Sequence, residues 1–256
     1  MTAATRHAVV TGAGSGIGAA IADALAADGH AVTLLGRRLD ALERTRAGLA
    51  SPHRHRCLAV DVVDAAALHA ALQQAAETSG PVAILVNNAG QADSQPFLKT
   101  DARHWRQMLD VNLMGTVHGC QAALPGMLQA GWGRIVNIAS TAALMGYAYV
   151  SAYCAAKHAV LGFTRALALE VASKGVTVNA VCPGYTETPL LEAAVANIQA
   201  KTSWPEQQAR ATLTRHNPQG RLVQPVEVAA TVRWLCSEAS AAIHGQAIAV
   251  AGGEVM

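Results

Sequence analysis

The sequence predicts an α/β chain built on a doubly wound, parallel, seven-stranded sheet. Three observations carry that prediction. Short β-rich runs alternate with longer helical stretches along the 256 residues. The β-rich runs are continuously apolar rather than alternating, as strands are when helices cover both faces of a sheet. The turn after the first run is rich in glycine and leads directly into a helix. Strict alternation of β and α elements implies parallel strands joined by helical crossovers.

Strands are expected at His7–Thr11, Ala31–Leu35, Arg56–Val60, Ala83–Asn87, Arg134–Ala139, Val176–Val181 and Gln246–Val250. Helices are expected at Ile17–Asp28, Leu39–Leu49, Ala65–Thr78, Asp101–Gln129, Ser151–Lys174 and Val226–Ser237, where helical periodicity runs with little Pro or Gly. No linker, repeat or low-complexity segment interrupts the series, so residues 1–256 read as one domain. The long stretch 186–220 has no strand partner and carries helical patches at Leu190–Gln199 and Glu206–Thr214, bounded by Pro189, Pro205 and Pro218. At the carboxyl end of a parallel strand, such an insertion belongs to a lid over a substrate, or to a packing subdomain.

Composition excludes several classes. Apolar residues make up 52% of the chain, and 19 basic residues nearly balance 17 acidic ones with no block of like charge. That argues against nucleic acid as a partner. The five cysteines are scattered and never in C-x-x-C spacing, which predicts reduced, buried thiols of a cytoplasmic protein. The first strand leaves no room for a signal peptide, and no apolar run approaches the ~18 residues of a membrane span. Ten histidines invite a metal, but His53 and His55 share a loop with Arg54 and Arg56 and the others are dispersed, so no metal site is expected.

The first strand runs into Thr11-Gly-Ala-Gly-Ser-Gly-Ile-Gly18. In this strand–turn–helix context Gly12, Gly14, Ser15, Gly16, Ile17 and Gly18 form a candidate dinucleotide site, with pyrophosphate at the helix N-terminus. An acidic residue closing the second strand would bind a ribose 2′-hydroxyl; here Gly36 is followed by Arg37 and Arg38. The missing carboxylate and the two guanidinium groups favour NADP(H), with NAD(H) possible; the alternative is that both arginines decorate the next helix. Asp61, next to Val62, is placed either to hydrogen-bond an adenine amino group or to cap a helix.

Tyr153 and Lys157 stand one helical turn apart, thirteen residues after Ser140 at the end of the fifth strand. A phenol near pKa 10 is a poor base at neutral pH unless a cation favours its anion. Lys157 can supply that cation, and Ser140 can hydrogen-bond an oxygen that gains charge. A hydrolase nucleophile is disfavoured, because no G-x-S-x-G elbow surrounds Ser140.

Together these motifs resemble the short-chain dehydrogenase/reductase superfamily over essentially the whole chain: Thr11-Gly-x3-Gly16-x-Gly18, Asn87-Asn88-Ala89-Gly90, Asn112, Ser140, Tyr153-x3-Lys157, and Pro183-Gly184 followed by Thr188. The resemblance implies a Rossmann fold and hydride transfer between a nicotinamide cofactor and a carbonyl or secondary alcohol. It implies Tyr153 as acid/base, Lys157 as the group that lowers its pKa and binds the nicotinamide ribose, and Ser140 as polariser of the carbonyl. Asn112 is implied as a helix-distorting residue holding a water. Asn88, Ala89 and Gly90 are implied beside the adenosine ribose and Val111 near the adenine. Pro183, Gly184, Thr186 and Thr188 are implied to embrace the nicotinamide end. A homotetramer or homodimer is implied too, paired through the long helices 101–129 and 151–174.

Within the superfamily the chain looks most like ketoreductases of β-ketoacyl thioesters and polyketides and like 3-hydroxybutyrate dehydrogenases. The hydroxybutyrate enzymes hold a free carboxylate with polar and basic side chains; Thr141–Ala152 here has no charged residue and no histidine. A carboxylate buried there would lack a partner. Gln91, Ala142, Leu144, Met145, Tyr147, Tyr185 and Leu190, with Ser140 and Tyr153, are the expected substrate walls. They suit a 3-oxoacyl or 3-hydroxyacyl thioester, most plausibly of CoA, or else a small hydrophobic ketone or alcohol. Arg210, Arg215, His216 and Arg221 read either as partners for CoA phosphates or as solvated surface. An NADP-sensing protein without turnover remains the reading from another class, opposed by the intact Ser–Tyr–Lys set.

Overall fold

A computed structural model describes residues 5–256. The elements run β1 (His7–Thr11), α1 (Gly16–Ala27), β2 (Ala31–Gly36), α2 (Leu39–Gly48), β3 (Arg56–Ala59), α3 (Ala65–Ser79), β4 (Val82–Asn87), α4 (Ala102–Leu109), α5 (Gly115–Ala130), β5 (Gly133–Ile138), α6 (Ser151–Val171), β6 (Val176–Pro183), α7 (Pro189–Thr202), α8 (Glu206–Thr214), α9 (Pro225–Leu235) and β7 (Ala247–Val250). All seven strands lie in one sheet of order β3-β2-β1-β4-β5-β6-β7, and each neighbouring pair is parallel. This is the doubly wound Rossmann-like arrangement the alternation predicts. The order reverses between β1 and β4, and a crevice opens there above the carboxyl ends of the strands.

Strand residues alternate between two cores. Ala8 and Val10 of β1 join Ile21, Leu25, Val228, Val232 and Leu235 on the α1/α9 face. Val9 between them joins Leu68, Leu72, Cys120, Met127 and Leu167 on the α3/α5/α6 face. Burial on both faces removes any pressure for polar alternation, which is why the strands read as continuous apolar runs.

Helix starts are marked by short acceptors. Asp64 accepts from Ala67 N at 2.9 Å at the start of α3, and Asp101 accepts from His104 N at 2.8 Å at the start of α4. Thr188 does the same for α7, with Pro189 at its first position.

The single helix expected over Asp101–Gln129 is α4 and α5 joined by a π-helical turn at Asp110–Met114. The reading by helical runs with little Pro or Gly does not show this, because no such breaker marks the π-turn. The insertion 186–220 folds as α7 and α8, which pack on each other through Leu191, Val195, Ala209 and Leu213. Among the described residues no helix is long and apolar enough to cross a membrane.

Candidate active site

A cleft of about 1760 Å³ follows the crevice. Drug-sized pockets span ~300–1,000 Å³, so this one has room for a dinucleotide together with a substrate. The loop from β1 to α1 forms one end. Gly12 and Gly16 take left-handed φ of 65° and 55°. A Cβ on Gly12 would stand 2.9 Å from Asn88 Nδ2 and from Ala89 Cα, and one on Gly16 would stand 3.0 Å from Thr188 Cγ2. Gly12, Gly14, Ser15, Gly16 and Ile17 line the cleft, so bare backbone at a helix N-terminus faces it.

Gly18 does not line the cleft. It is buried inside α1, where a Cβ would overlap the Gly12 carbonyl. Its place is helix-on-loop packing rather than contact with a ligand.

Asn88 fixes this loop from β4. Its Nδ2 donates to Thr11 O at 2.9 Å and Gly12 O at 3.3 Å, while the Thr11 hydroxyl accepts from the N–H groups of Asn88 (2.9 Å) and Ala89 (3.0 Å). The side chain of Asn88 is thereby committed to the loop.

Gly36, Arg37 and Arg38 line the cleft where β2 ends, with Asp61, Val62, Ala89, Gly90 and Val111 alongside. Among the described residues neither Arg37 nor Arg38 is within ion-pair distance of a carboxylate, whereas Arg44 and Arg46 hold Asp40 and Glu43. Asp61 accepts from Val63 N at 3.2 Å and is not the cap of α3, a position filled by Asp64.

The other end gathers Asn112, Ser140, Tyr153 and Lys157, all lining the cleft. Ser140 follows β5, and its hydroxyl accepts from Ala142 N at 3.1 Å; it lines the cleft together with the Tyr153 phenol. Lys157 is buried one turn further along α6; it donates to Ile138 O at 2.9 Å, and its Nζ lies 5.7 Å from the Tyr153 ring centre. The fully buried Asn112 sits in the π-turn. It donates to Gln91 O at 2.9 Å and Met108 O at 3.0 Å and accepts from Gln91 N at 3.2 Å. A Cβ on Gly90 would come within 2.9 Å of Asn112 Oδ1 and 3.5 Å of Lys157 Nζ, so the bare Gly90 backbone lets these groups converge.

Burial pushes the Tyr153 phenol up to about 12, against the lowering effect of the Ser140 hydroxyl. Burial also brings Lys157 down to about 8. Desolvation is the largest effect on each and disfavours both the tyrosinate and the ammonium.

The substrate walls divide. Gln91, Ala142, Tyr147, Tyr185 and Leu190 line the cleft as expected, as do Pro183, Gly184, Thr186 and Thr188. Leu144 and Met145 do not; they are more than a third exposed, beyond the short helical turn Thr141–Ala143. A 3₁₀ turn after Ser140 rotates them outward, which an apolar run cannot reveal.

Arg210 is held by Glu192 at 2.6 Å and Glu206 at 2.8 Å, and Arg221 by Glu227 at 2.6 Å. Neither they nor Arg215 and His216 line the cleft.

Sequence reasoning missed the opposite rim. Asp93, Ser94 and Gln95 line it, Asn197 Nδ2 donates to Ser94 Oγ at 3.0 Å, and Lys201 Nζ donates to Ser94 O at 3.2 Å. Tyr149, at a left-handed φ of 69°, accepts from Gln95 N at 2.8 Å. These residues lie in loops of no fixed pattern, and no motif marked them.

A glycine cradle beside a helix N-terminus and a Ser–Tyr–Lys cluster in the same cleft define a nicotinamide-dependent oxidoreductase of hydroxyl and keto groups. The chain belongs to the short chain dehydrogenase family, whose profile matches residues 6–199. It is 39% identical over 252 residues to a D-beta-hydroxybutyrate dehydrogenase of Cupriavidus necator, covering 98% of both chains. It is 38% identical over 253 residues to a putative ketoacyl reductase of Streptomyces coelicolor, covering 96% of this chain and 95% of the relative. The crystal structure of a variant of actinorhodin polyketide ketoreductase with NADPH superposes with a TM-score of 0.93 at 37% identity, over 98% of this chain and 97% of that one.

Proposed function

We propose that this protein is an NADP(H)-dependent reductase of 3-oxoacyl thioesters, most plausibly CoA esters, working reversibly on the 3-hydroxyacyl form. A small hydrophobic ketone or secondary alcohol is the competing substrate. The observation that carries the reading is the convergence of Ser140, Tyr153 and Lys157 in the same cleft as the glycine loop.

Bound nicotinamide dinucleotide would supply or accept the hydride, and its positive charge when oxidised would favour the Tyr153 anion that burial opposes. Tyr153 gives its proton to the carbonyl oxygen, or takes one from the alcohol. Ser140 holds that oxygen. Lys157 binds the nicotinamide ribose, and Asn112 holds the Gln91 segment and a water for proton exchange. Gly12, Gly14, Ser15, Gly16 and Ile17 hold the pyrophosphate. Asp61 and Val111 flank the adenine, with Val62, Ala89 and Gly90 beside its ribose.

Arg37 and Arg38, free of carboxylate partners, support a 2′-phosphate. The kcat/KM for NADPH should exceed that for NADH, and replacing both arginines by alanine should reduce the NADPH value about tenfold or more, as expected for loss of charge-assisted hydrogen bonds. A wild-type preference for NADH would refute this assignment.

The NADPH bound by the structural neighbour supports the same choice, and the ketoacyl reductase relative supports the substrate class. The uncharged wall Thr141–Ala152 supports a thioester over a free acid. Absorbance at 340 nm with acetoacetyl-CoA and with acetoacetate is the test. The thioester should turn over faster, and faster turnover of the free acid would overturn the substrate reading. Self-association through α5 and α6 is part of the proposal, supported by exposed Leu128 and Leu169. Light scattering should then give a dimer or tetramer.

A further inference from the structure

We infer that Glu254 turns the Thr141–Tyr147 pair of the outer substrate wall into a site that only accepts hydrogen bonds, so that this pair takes a neutral substrate bearing a hydroxyl donor and rejects one bearing a carboxylate. The inference rests on the oxidoreductase reading above for what occupies the pocket.

Thr141, Tyr147 and Tyr185 line the cleft beyond Ser140, and Glu254 stands behind them. The Tyr147 hydroxyl lies 2.7 Å from Glu254 Oε1 and 2.7 Å from Thr141 Oγ1. A phenol has one proton and a carboxylate only accepts, so that proton belongs to Glu254. The Thr141 hydroxyl then donates to the Tyr147 oxygen. Both hydroxyls have spent their donors inside the protein, and what they can still offer a substrate is lone pairs.

Tyr185 closes the wall edge-on to Tyr147, with ring centres 6.1 Å apart and planes at 79°; its own phenol keeps its proton, so the acceptor-only character belongs to Thr141 and Tyr147 alone. Among the described residues no Lys, Arg or His lies within ion-pair distance of Glu254. Arg215 is the cation whose field reaches Tyr185, and its Nε is turned to His216. The charge on Glu254 also raises the Tyr147 phenol, after the larger effect of burial, which keeps Tyr147 protonated and bound to the carboxylate.

The local backbone is built to present Glu254. A Cβ on Gly184 would come within 2.9 Å of Glu254 Oε2. Gly252 and Gly253 take left-handed φ of 61° and 92°, and a side chain on Gly252 would overlap the Asn217 amide. Two consecutive left-handed residues turn the chain after β7 back toward Tyr147. Glu254 is a positioning residue: it acts through Tyr147 and does not itself line the cleft.

The test compares two ligands on one skeleton, 1,3-butanediol and 3-hydroxybutyrate, titrated by saturation-transfer NMR against enzyme saturated with NADPH, where neither can react. The diol should bind at least tenfold more tightly. In Glu254→Gln the ratio should shrink below about threefold, while Glu254→Asp, which keeps the charge, should restore most of it. Should Glu254→Gln fail to fold, Tyr147→Phe carries the test and should weaken the diol severalfold toward the acid.

Equal affinities in the wild type, no measurable binding of the diol, or an unchanged ratio in a natively folded Glu254→Gln would each overturn the inference. Failure of the redox reading looks different: no change at 340 nm with any ketone, while the binding ratio keeps its expected value.

Discussion

The wall of the cleft that faces β1 and β4 is fixed by a network of half-buried hydrogen bonds, whereas the wall supplied by α7 is tied down by one half-buried bond and exposed contacts. On the first side Asn88, Ala89, Thr11 and Gly12 interlock through four bonds of 2.9–3.3 Å. On the second, α7 meets the rim through Asn197 and Lys201 on Ser94, and it meets α8 through the exposed pair Glu192–Arg210. Buried polar networks are costly to break, and exposed ion pairs contribute ~0–1 kcal/mol each. The contrast teaches where precision is spent: the cofactor half is rigid and the substrate half can adapt.

Four experiments would break or sharpen that contrast. The largest effect belongs to Tyr153→Phe, which should lower kcat by about 10²–10⁴-fold, the span of a lost general acid. Cofactor affinity should stay close to wild type by fluorescence titration; retained turnover would contradict the role.

Next comes Gly18→Ala, on the rigid side. The added methyl must displace the Gly12 carbonyl or the Asn88 amide, so overpacking should cost about 1–3 kcal/mol in a denaturant titration. A neutral result would mean that the loop yields and that the cofactor half is not rigid.

Asn197→Ala probes the adaptable side. Loss of its bond to Ser94 should change KM severalfold with little change in melting temperature, since a net hydrogen bond is worth ~0.5–1.5 kcal/mol. A large loss of stability would show that the rim holds the fold as well as α7.

The smallest effect is at the base of the sheet. His7 lies between Gly80 O at 2.7 Å and Thr33 Oγ1 at 2.9 Å, and burial holds its pKa below the ordinary 6.5. His30 is lowered by burial as well, against the opposing charge of Asp28. Below pH 6.5 the unfolded chain therefore binds more protons than the folded one. The contribution is fully present above that pH and is lost as pH falls through the folded values. Thermal melts from pH 8 to 5 should show the decline, and His7→Gln should flatten it.

What the sequence makes legible follows from how local each signal is. The strand–helix alternation, the glycine loop and the Tyr153–Lys157 spacing each lie within one or two elements, and all three stand in the structure where expected. Helices α7 and α8 were legible because Pro189 and Pro205 mark their starts.

Side-chain direction was less legible. Leu144 and Met145 belong to the right segment, yet the turn at Thr141–Ala143 faces them away from the cleft. Gly18 belongs to the right motif but packs instead of lining. Contacts between distant loops left no pattern at all: Ser94 with Asn197, and Tyr147 with Glu254, are separated by 103 and 107 residues.

The wide turn at Asp110–Met114 carries a consequence of its own. Such a turn amounts to one surplus residue in an otherwise regular spiral. Excising a single residue there would let α4 and α5 merge into one uninterrupted rod and swing the Asn112 amide around the axis, away from Gln91. A chain shortened by one position would thus keep its silhouette while losing the clasp between the β4–β5 crossover and the floor of the reaction chamber.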